Sequence, residues 1–241
     1  MKSILNILIE SKANNKKQLA ILIDPDKIDL ESIELIVTKI EQSPATHIFV
    51  GGSRVSSSNL DALIVSIRSV LKKNLPILLF PGDPSQISKF ADGILFLSLL
   101  SGRNPDYLIE HQVNAVPILN QTNLEVIPTG YILIDGGSTS AVEVVSQTNP
   151  LDRQKINYIV QTAQAGAYLG NQLIYLEAGS GAKMTVPLNA IKEVAQKTNV
   201  PLIVGGGIRS KKEIEDAFNA GADLVVIGTA FENNNNFFLE F

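Results

Sequence analysis

A single α/β domain over residues 1–241, folded as a (β/α)8 TIM barrel with a short or missing helix after the third strand, is what this sequence predicts. Three observations lead there. Eight short apolar runs alternate with longer amphipathic ones. The short runs are apolar throughout rather than at every second residue, the mark of parallel strands covered on both faces. A chain of 241 residues without an internal repeat suits one such unit. A doubly wound open sheet is the alternative arrangement of the same alternation.

The chain opens with apolar Ile4, Leu5, Ile7, Leu8 and Ile9, then turns basic and polar. A secretory signal would put its charge first, carry a longer apolar run and end in small residues. The segment therefore reads as a short amphipathic helix capping the domain. Strands are expected at 19–23, 47–50, 77–80, 94–97, 131–134, 173–176, 202–204 and 224–227. Helical periodicity occupies 30–42, 59–72, 105–113, 153–167, 188–197 and 211–219. Asp29 and Ser210 stand where N-caps belong, and Gly221 stands where a helix should end. From 81 to 92 the connection is too short and broken for a full helix, which leaves a gap that could admit something long and apolar. The stretches 121–129 and 136–150 lack periodicity and read as surface loops, and Asn233 to Asn236 as a turn or frayed end.

Composition narrows the chemistry. Apolar residues make up 45% and charged residues 18%, enough for a substantial core. A net charge of −4 leaves no footprint for nucleic acid. With no cysteine, disulfides, thiolate metal sites and thiol nucleophiles are excluded, in keeping with a cytoplasmic protein. No apolar run is long enough and free enough of charge, glycine and proline to span a bilayer.

In a barrel, residues just after the strands meet at one rim. Collected there are Asp24, Asp26 and Lys27; Gly51, Gly52 and Ser53; Pro81 and Gly82; Glu177 to Gly181; Gly205 to Gly207; and Gly228 with Thr229. The run Tyr175-Leu176-Glu177-Ala178-Gly179-Ser180-Gly181 sets one carboxylate at a strand end beside small residues whose amides can cradle an anion. A strand-end carboxylate satisfied by neighbouring amides is the ordinary alternative, and the adjoining glycines favour a catalytic base. Gly206 and Gly207 follow the seventh strand, and Gly228 and Thr229 the eighth. Glycines there can merely permit tight turns, but both runs in this order favour the recurrent phosphate site of the fold. Asp24, with Ser53, could hold Mg²⁺, which prefers oxygen ligands, although an Asx turn explains Asp24 equally simply. Asp26 and Lys27 read as a turn and a solvated pair. His47 falls at the far end of the barrel and His111 on a helix, so both read as structural. Asp135 precedes a Gly-Gly-Ser turn and is left outside the site.

Residues 22–27 (Leu-Ile-Asp-Pro-Asp-Lys), 49–53, 97–105, 175–181, 204–210 and 228–229 together resemble the geranylgeranylglyceryl phosphate synthase family, with its bacterial heptaprenylglyceryl phosphate synthase relatives. The resemblance runs from about residue 19 to residue 230. Leu22 stands where some bacterial members carry a phosphate-binding lysine, which places the chain nearer the archaeal-type branch. The resemblance implies a Mg²⁺-dependent prenyltransferase joining the C3 hydroxyl of sn-glycerol 1-phosphate to C1 of a long-chain prenyl diphosphate. It implies Asp24 and Ser53 as metal ligands, Glu177 as base, and Tyr175, Leu176, Glu177, Ala178, Gly179, Ser180, Gly181, Gly206, Gly207, Gly228 and Thr229 as the glycerol-phosphate site. It also implies a homo-oligomer in transient contact with membrane surface. Phe80, Phe96, Leu99 and Leu100 are candidates for the wall of a prenyl groove. An FMN-dependent oxidoreductase barrel and a non-catalytic phosphometabolite-binding barrel are the rival readings of the same glycine loops.

Overall fold

A computed structural model describes residues 3–52 and 57–238. Eight parallel strands form a closed barrel in sequence order: β1 (Gln18–Ile23), β2 (His47–Val50), β3 (Ile77–Leu79), β4 (Gly93–Leu99), β5 (Glu125–Leu133), β6 (Leu173–Glu177), β7 (Leu202–Gly205) and β8 (Leu224–Ile227). The barrel closes where β8 pairs with β1, in register from Gln18↔Leu224 to Ile21↔Ile227. The helices are α1 (Ile4–Ala13), α2 (Ile33–Gln42), α3 (Ser57–Val70), α4 (His111–Leu119), α5 (Ala141–Ser146), α6 (Ile156–Tyr168), α7 (Leu188–Lys197), α8 (Lys211–Ala220) and α9 (Thr229–Asn233). A 3₁₀ turn leads into α2 and a π turn, Asp106–Glu110, into α4.

The continuous apolar strands divide their side chains between two cores. Ala20, Phe49, Leu78, Leu95, Ile127 and Ile203 fill the barrel interior. Leu19, Ile21, Ile48, Ile77, Leu176 and Val204 face the helices. Each fully buried aliphatic side chain contributes roughly 1.5–3 kcal/mol, so a pattern that feeds both layers strongly favours this architecture. The expected amphipathic N-terminal helix is α1, whose Ile4 and Leu8 join the interior core. Asp29 and Ser210 cap as expected, accepting from Glu31 N and Glu213 N, and Gly221 ends α8 in the left-handed region at φ 117°.

Two expected surface loops are structured instead. β5 begins at Glu125, inside the stretch read as irregular, and runs through Pro128 and Gly130. Pro128 O accepts from Gln172 N just before β6 starts, so the missing proline N–H falls where no neighbouring strand needs it. At Gly130 a Cβ would lie 2.7 Å from Leu100 Cδ1, so a larger residue would require Leu100 to shift. The second correction is α5, inside 136–150, opened by a capping box in which Ser140 and Glu143 bond each other's backbone amides. The connection from 80 to 92 contains no helix, as expected. Asp92 pins its end by accepting from Ile77 N at 2.7 Å and pairing with Arg68. No helix among the described residues is long and apolar enough to cross a membrane.

Candidate active site

The strand C-termini surround a cavity of about 700 Å³. Glu177, the last residue of β6, lies on its floor and is only 6% exposed. Its Oε1 accepts from Gly179 N at 2.8 Å. Burial raises its pKa to about 7, against the opposing effects of the Gly179 amide and the Tyr175 hydroxyl. That hydroxyl is near enough to favour the ionised carboxylate, yet the fully buried Tyr175 Oη forms no hydrogen bond with the described protein atoms. Tyr175 is itself held by aromatic neighbours: Phe80 stacks on it with ring centroids 5.3 Å apart, and Tyr131 meets it edge-on at 5.3 Å.

The glycine turns close around this carboxylate. A Cβ at Gly206 would lie 2.2 Å from Glu177 Oε1, and one at Gly205 would lie 2.7 Å from Oε2. Gly179, Gly181, Gly206 and Gly207 all take positive φ, from 70° to 101°, which L side chains rarely adopt. Ser180 Oγ lies 3.2 Å from Thr229 Oγ1, which brings the β6 and β8 loops together. Among the described residues, the N–H groups of Ser180, Gly181, Gly206 and Gly207 donate no hydrogen bond to the protein. These four free amides lie on the turns that close around the buried Glu177 carboxylate, an arrangement able to receive an anion.

Across the cavity, Asp24 Oδ1 accepts from Asp26 N at 3.2 Å, so the Asx turn exists while the carboxylate also lines the cavity. Lys27 is more than the solvated residue expected. It bridges Asp24 at 3.2 Å and Glu232 at 3.0 Å, tying the β1 loop to α9. No cluster of three or more His, Cys, Asp or Glu side chains exists among the described residues. One carboxylate at a cavity wall nevertheless suits Mg²⁺, which takes its remaining ligands from substrate phosphates and water. Ser53, the second expected ligand, lies outside the described residues.

The cavity continues as an apolar groove. β3 ends after pairing Leu79 with Ile94, whereas β4 runs on to Leu99, so Phe96 and Leu97 are only half-buried. With no helix between 80 and 92, this strand face opens into the cavity, which Tyr107 of the π turn and His111 and Ala115 of α4 also line. Gln112 Nε2 donates to Leu97 O, pinning α4 to the strand.

Of the expected site residues, Asp24, Tyr175, Glu177, Ser180, Gly181, Gly206, Gly207, Gly228 and Thr229 all line this cavity. Leu176 and Ala178 instead turn into the core between barrel and helices, as alternation along the strand requires. Gly179 acts by orienting Glu177. Of the groove candidates, Phe80, Phe96 and Leu99 line the cavity, but Leu100 does not: it fills the seam between Gly130 and Gly166. His111, read as structural, lines the groove with its ring 4.5 Å from Tyr107. Its i, i+4 spacing from Tyr107 was the signal available. Glu232 and Arg209 are among the other cavity residues that were not expected from the sequence. Asp135 holds its own turn by accepting from Gly137 N and does not line the cavity.

Residues 12–240 match the profile of the PcrB family. The chain is 60% identical over 231 residues to a geranylgeranylglyceryl phosphate synthase of Flavobacterium johnsoniae, covering 96% of this chain and 94% of that protein. It is 53% identical over 233 residues to one of Zunongwangia profunda, covering 97% and 98%. Among solved structures, (S)-3-O-geranylgeranylglyceryl phosphate synthase from Thermoplasma acidophilum, in complex with its substrate sn-glycerol-1-phosphate, superposes with a TM-score of 0.92 at 34% identity. That match covers 99% of this chain and 95% of the other.

Proposed function

Because the chain belongs to the PcrB family, we propose that it joins the C3 hydroxyl of sn-glycerol 1-phosphate to C1 of a long-chain prenyl diphosphate, releasing diphosphate. One observation carries this reading. A single cavity holds an amide cradle at one end, an apolar groove at the other, and the buried Glu177 between them.

The glycerol phosphate would seat its phosphate on the turns at 179–181, 206–207 and 228–229, which leaves its hydroxyl facing Glu177. Gly179 holds Oε1, so Oε2 receives the proton as the new C–O bond forms and the allylic C1–O bond breaks. A pKa of about 7 suits a base working at neutral pH. The unpartnered Tyr175 hydroxyl would bond the reacting oxygen, a role supported by its buried, unsatisfied state. Diphosphate leaves with charge that a bound Mg²⁺ would neutralise, and Asp24, which lines the cavity, would hold that ion. Phe96, Leu99 and the α4 face would enclose the tail, where each buried methylene contributes about 0.8 kcal/mol. Holding both substrates in line supplies much of the remaining acceleration.

The same reading assigns the enzyme to the cytoplasm, with brief membrane contact when the lipid product departs. It also makes the enzyme a homo-oligomer, supported by the apolar residues Ile109, Val113 and Val116 exposed around α4. Incubation with labelled sn-glycerol 1-phosphate, Mg²⁺ and prenyl diphosphates of graded length tests the reaction. An ether-linked product is expected by mass analysis, and its absence for every tail would end the reading.

A further inference from the structure

One phosphate can bridge amides from two strand loops only if those loops stand at a fixed separation. The turn at Gly207 approaches the β6 loop so closely that a Cβ on it would lie 3.0 Å from Met184 O and 3.1 Å from Ala182 O. Carbonyl oxygens of both loops crowd this seam, and like dipoles repel. One side chain enters it. Arg209 Nη1 donates to Gly207 O at 3.2 Å, while Nη2 donates to Gly181 O at 3.2 Å and to Ala182 O at 2.5 Å. Its backbone N–H donates to Glu213 Oε2 at 2.7 Å, which seats it on the first turn of α8.

We propose that Arg209 is the positioning residue of the glycerol-phosphate site, a guanidinium clamp that sets the spacing of the β6 and β7 turns and so the affinity for the acceptor's phosphate. The proposal rests on the function given above and deepens it. The peptide unit is planar and trans, so a carbonyl drawn toward the guanidinium turns the following N–H away from it. Gly207 O faces Arg209, and the next residue, Ile208, lines the cavity. Arg209 itself lines the cavity, so its charge also favours an anion bound on the turns. Lysine could not replace it, because an ammonium is a single point whereas the guanidinium fork spans both loops.

Arg209→Ala and Arg209→Lys, compared with the wild type, test this. The KM for sn-glycerol 1-phosphate should rise about ten- to a hundredfold in the alanine variant and less in the lysine variant, as expected from lost charged hydrogen bonds. The KM for prenyl diphosphate, and kcat at saturating acceptor, should stay within about threefold of wild type. Millimolar guanidinium ion should restore part of the acceptor affinity. A general loss of structure would move both substrates together, and that outcome, or an unchanged acceptor KM in a folded variant, overturns the proposal. Should the alanine variant not fold, the lysine variant carries the same test. Calorimetry with wild-type protein separates the premises: failure to bind sn-glycerol 1-phosphate at all would overturn the functional reading, and the clamp with it.

Discussion

Burial raises Glu177 to about pKa 7, so the group is poised to accept a proton near neutrality. The kcat/KM is expected to rise with pH through about 7 as the carboxylate ionises. Glu177→Gln should retain glycerol-phosphate binding by calorimetry yet lose turnover by about 10²–10⁴-fold, the usual worth of a general base. Near-normal single-turnover chemistry would refute the assignment. The same burial costs stability. The folded state holds a proton between about pH 4.5 and 7 that the unfolded chain has released, so stability from this group declines as pH rises across that window. Above pH 7 the glutamine variant should therefore melt higher than wild type, by the equivalent of up to about 3 kcal/mol. His47 acts with the opposite sign. Burial lowers it from 6.5 to about 4, so the stability tied to its neutral form is complete above 6.5 and lost as pH falls toward 4. His47→Gln should flatten the decline in Tm between pH 6.5 and 4.5, and an unchanged acid limb would show that other groups dominate.

At the scale of elements, the missing helix between β3 and β4 matters most. It exposes Phe96 and Leu97, and the facing wall comes from Tyr107 of the π turn with His111 and Ala115 of α4. Ala115 is small and buried on that wall. Ala115→Phe should shorten the longest prenyl diphosphate accepted while leaving the KM for sn-glycerol 1-phosphate unchanged, as read from products with graded tails. Unaltered chain-length preference would place the tail elsewhere. The glycine turns show the complementary device, absence of side chain as a design requirement. Gly206 is excluded from carrying even a methyl group, because Glu177 Oε1 occupies that space.

For the whole molecule, function and stability sit at opposite ends of the barrel. The site gathers at the strand C-termini, whereas α1 packs Ile4 and Leu8 into the interior core. Glu125, at the start of β5, holds that helix by accepting from Ser3 Oγ at 2.6 Å, Ile4 N at 2.6 Å and Leu5 N at 2.9 Å. Glu125→Ala should lower Tm by roughly 5–10 °C through loss of these charged hydrogen bonds. Both KM values should be unchanged, measured by calorimetric melting and steady-state kinetics. A selective change in either KM would mean that the two ends are coupled.

Residues close together in the chain made much of this protein legible beforehand. Eight continuous apolar runs specify parallel strands buried on both faces, because no other arrangement covers them. Glu177 with its glycines, and the two later glycine turns, could be located in the sequence because few other residues permit that backbone. Proline and glycine break the apolar pattern of β5, and α5, a single capped turn and a half, is too short to show a helical period. Contacts across the fold were invisible in the sequence. Lys27 reaching Glu232, Arg209 spanning two loops and Leu100 filling the seam beside Gly130 each join positions that only barrel closure brings together. Residue type and order determined which groups reach the rim. Burial, strand alternation and loop separation decided which way each points and how strongly it holds its proton.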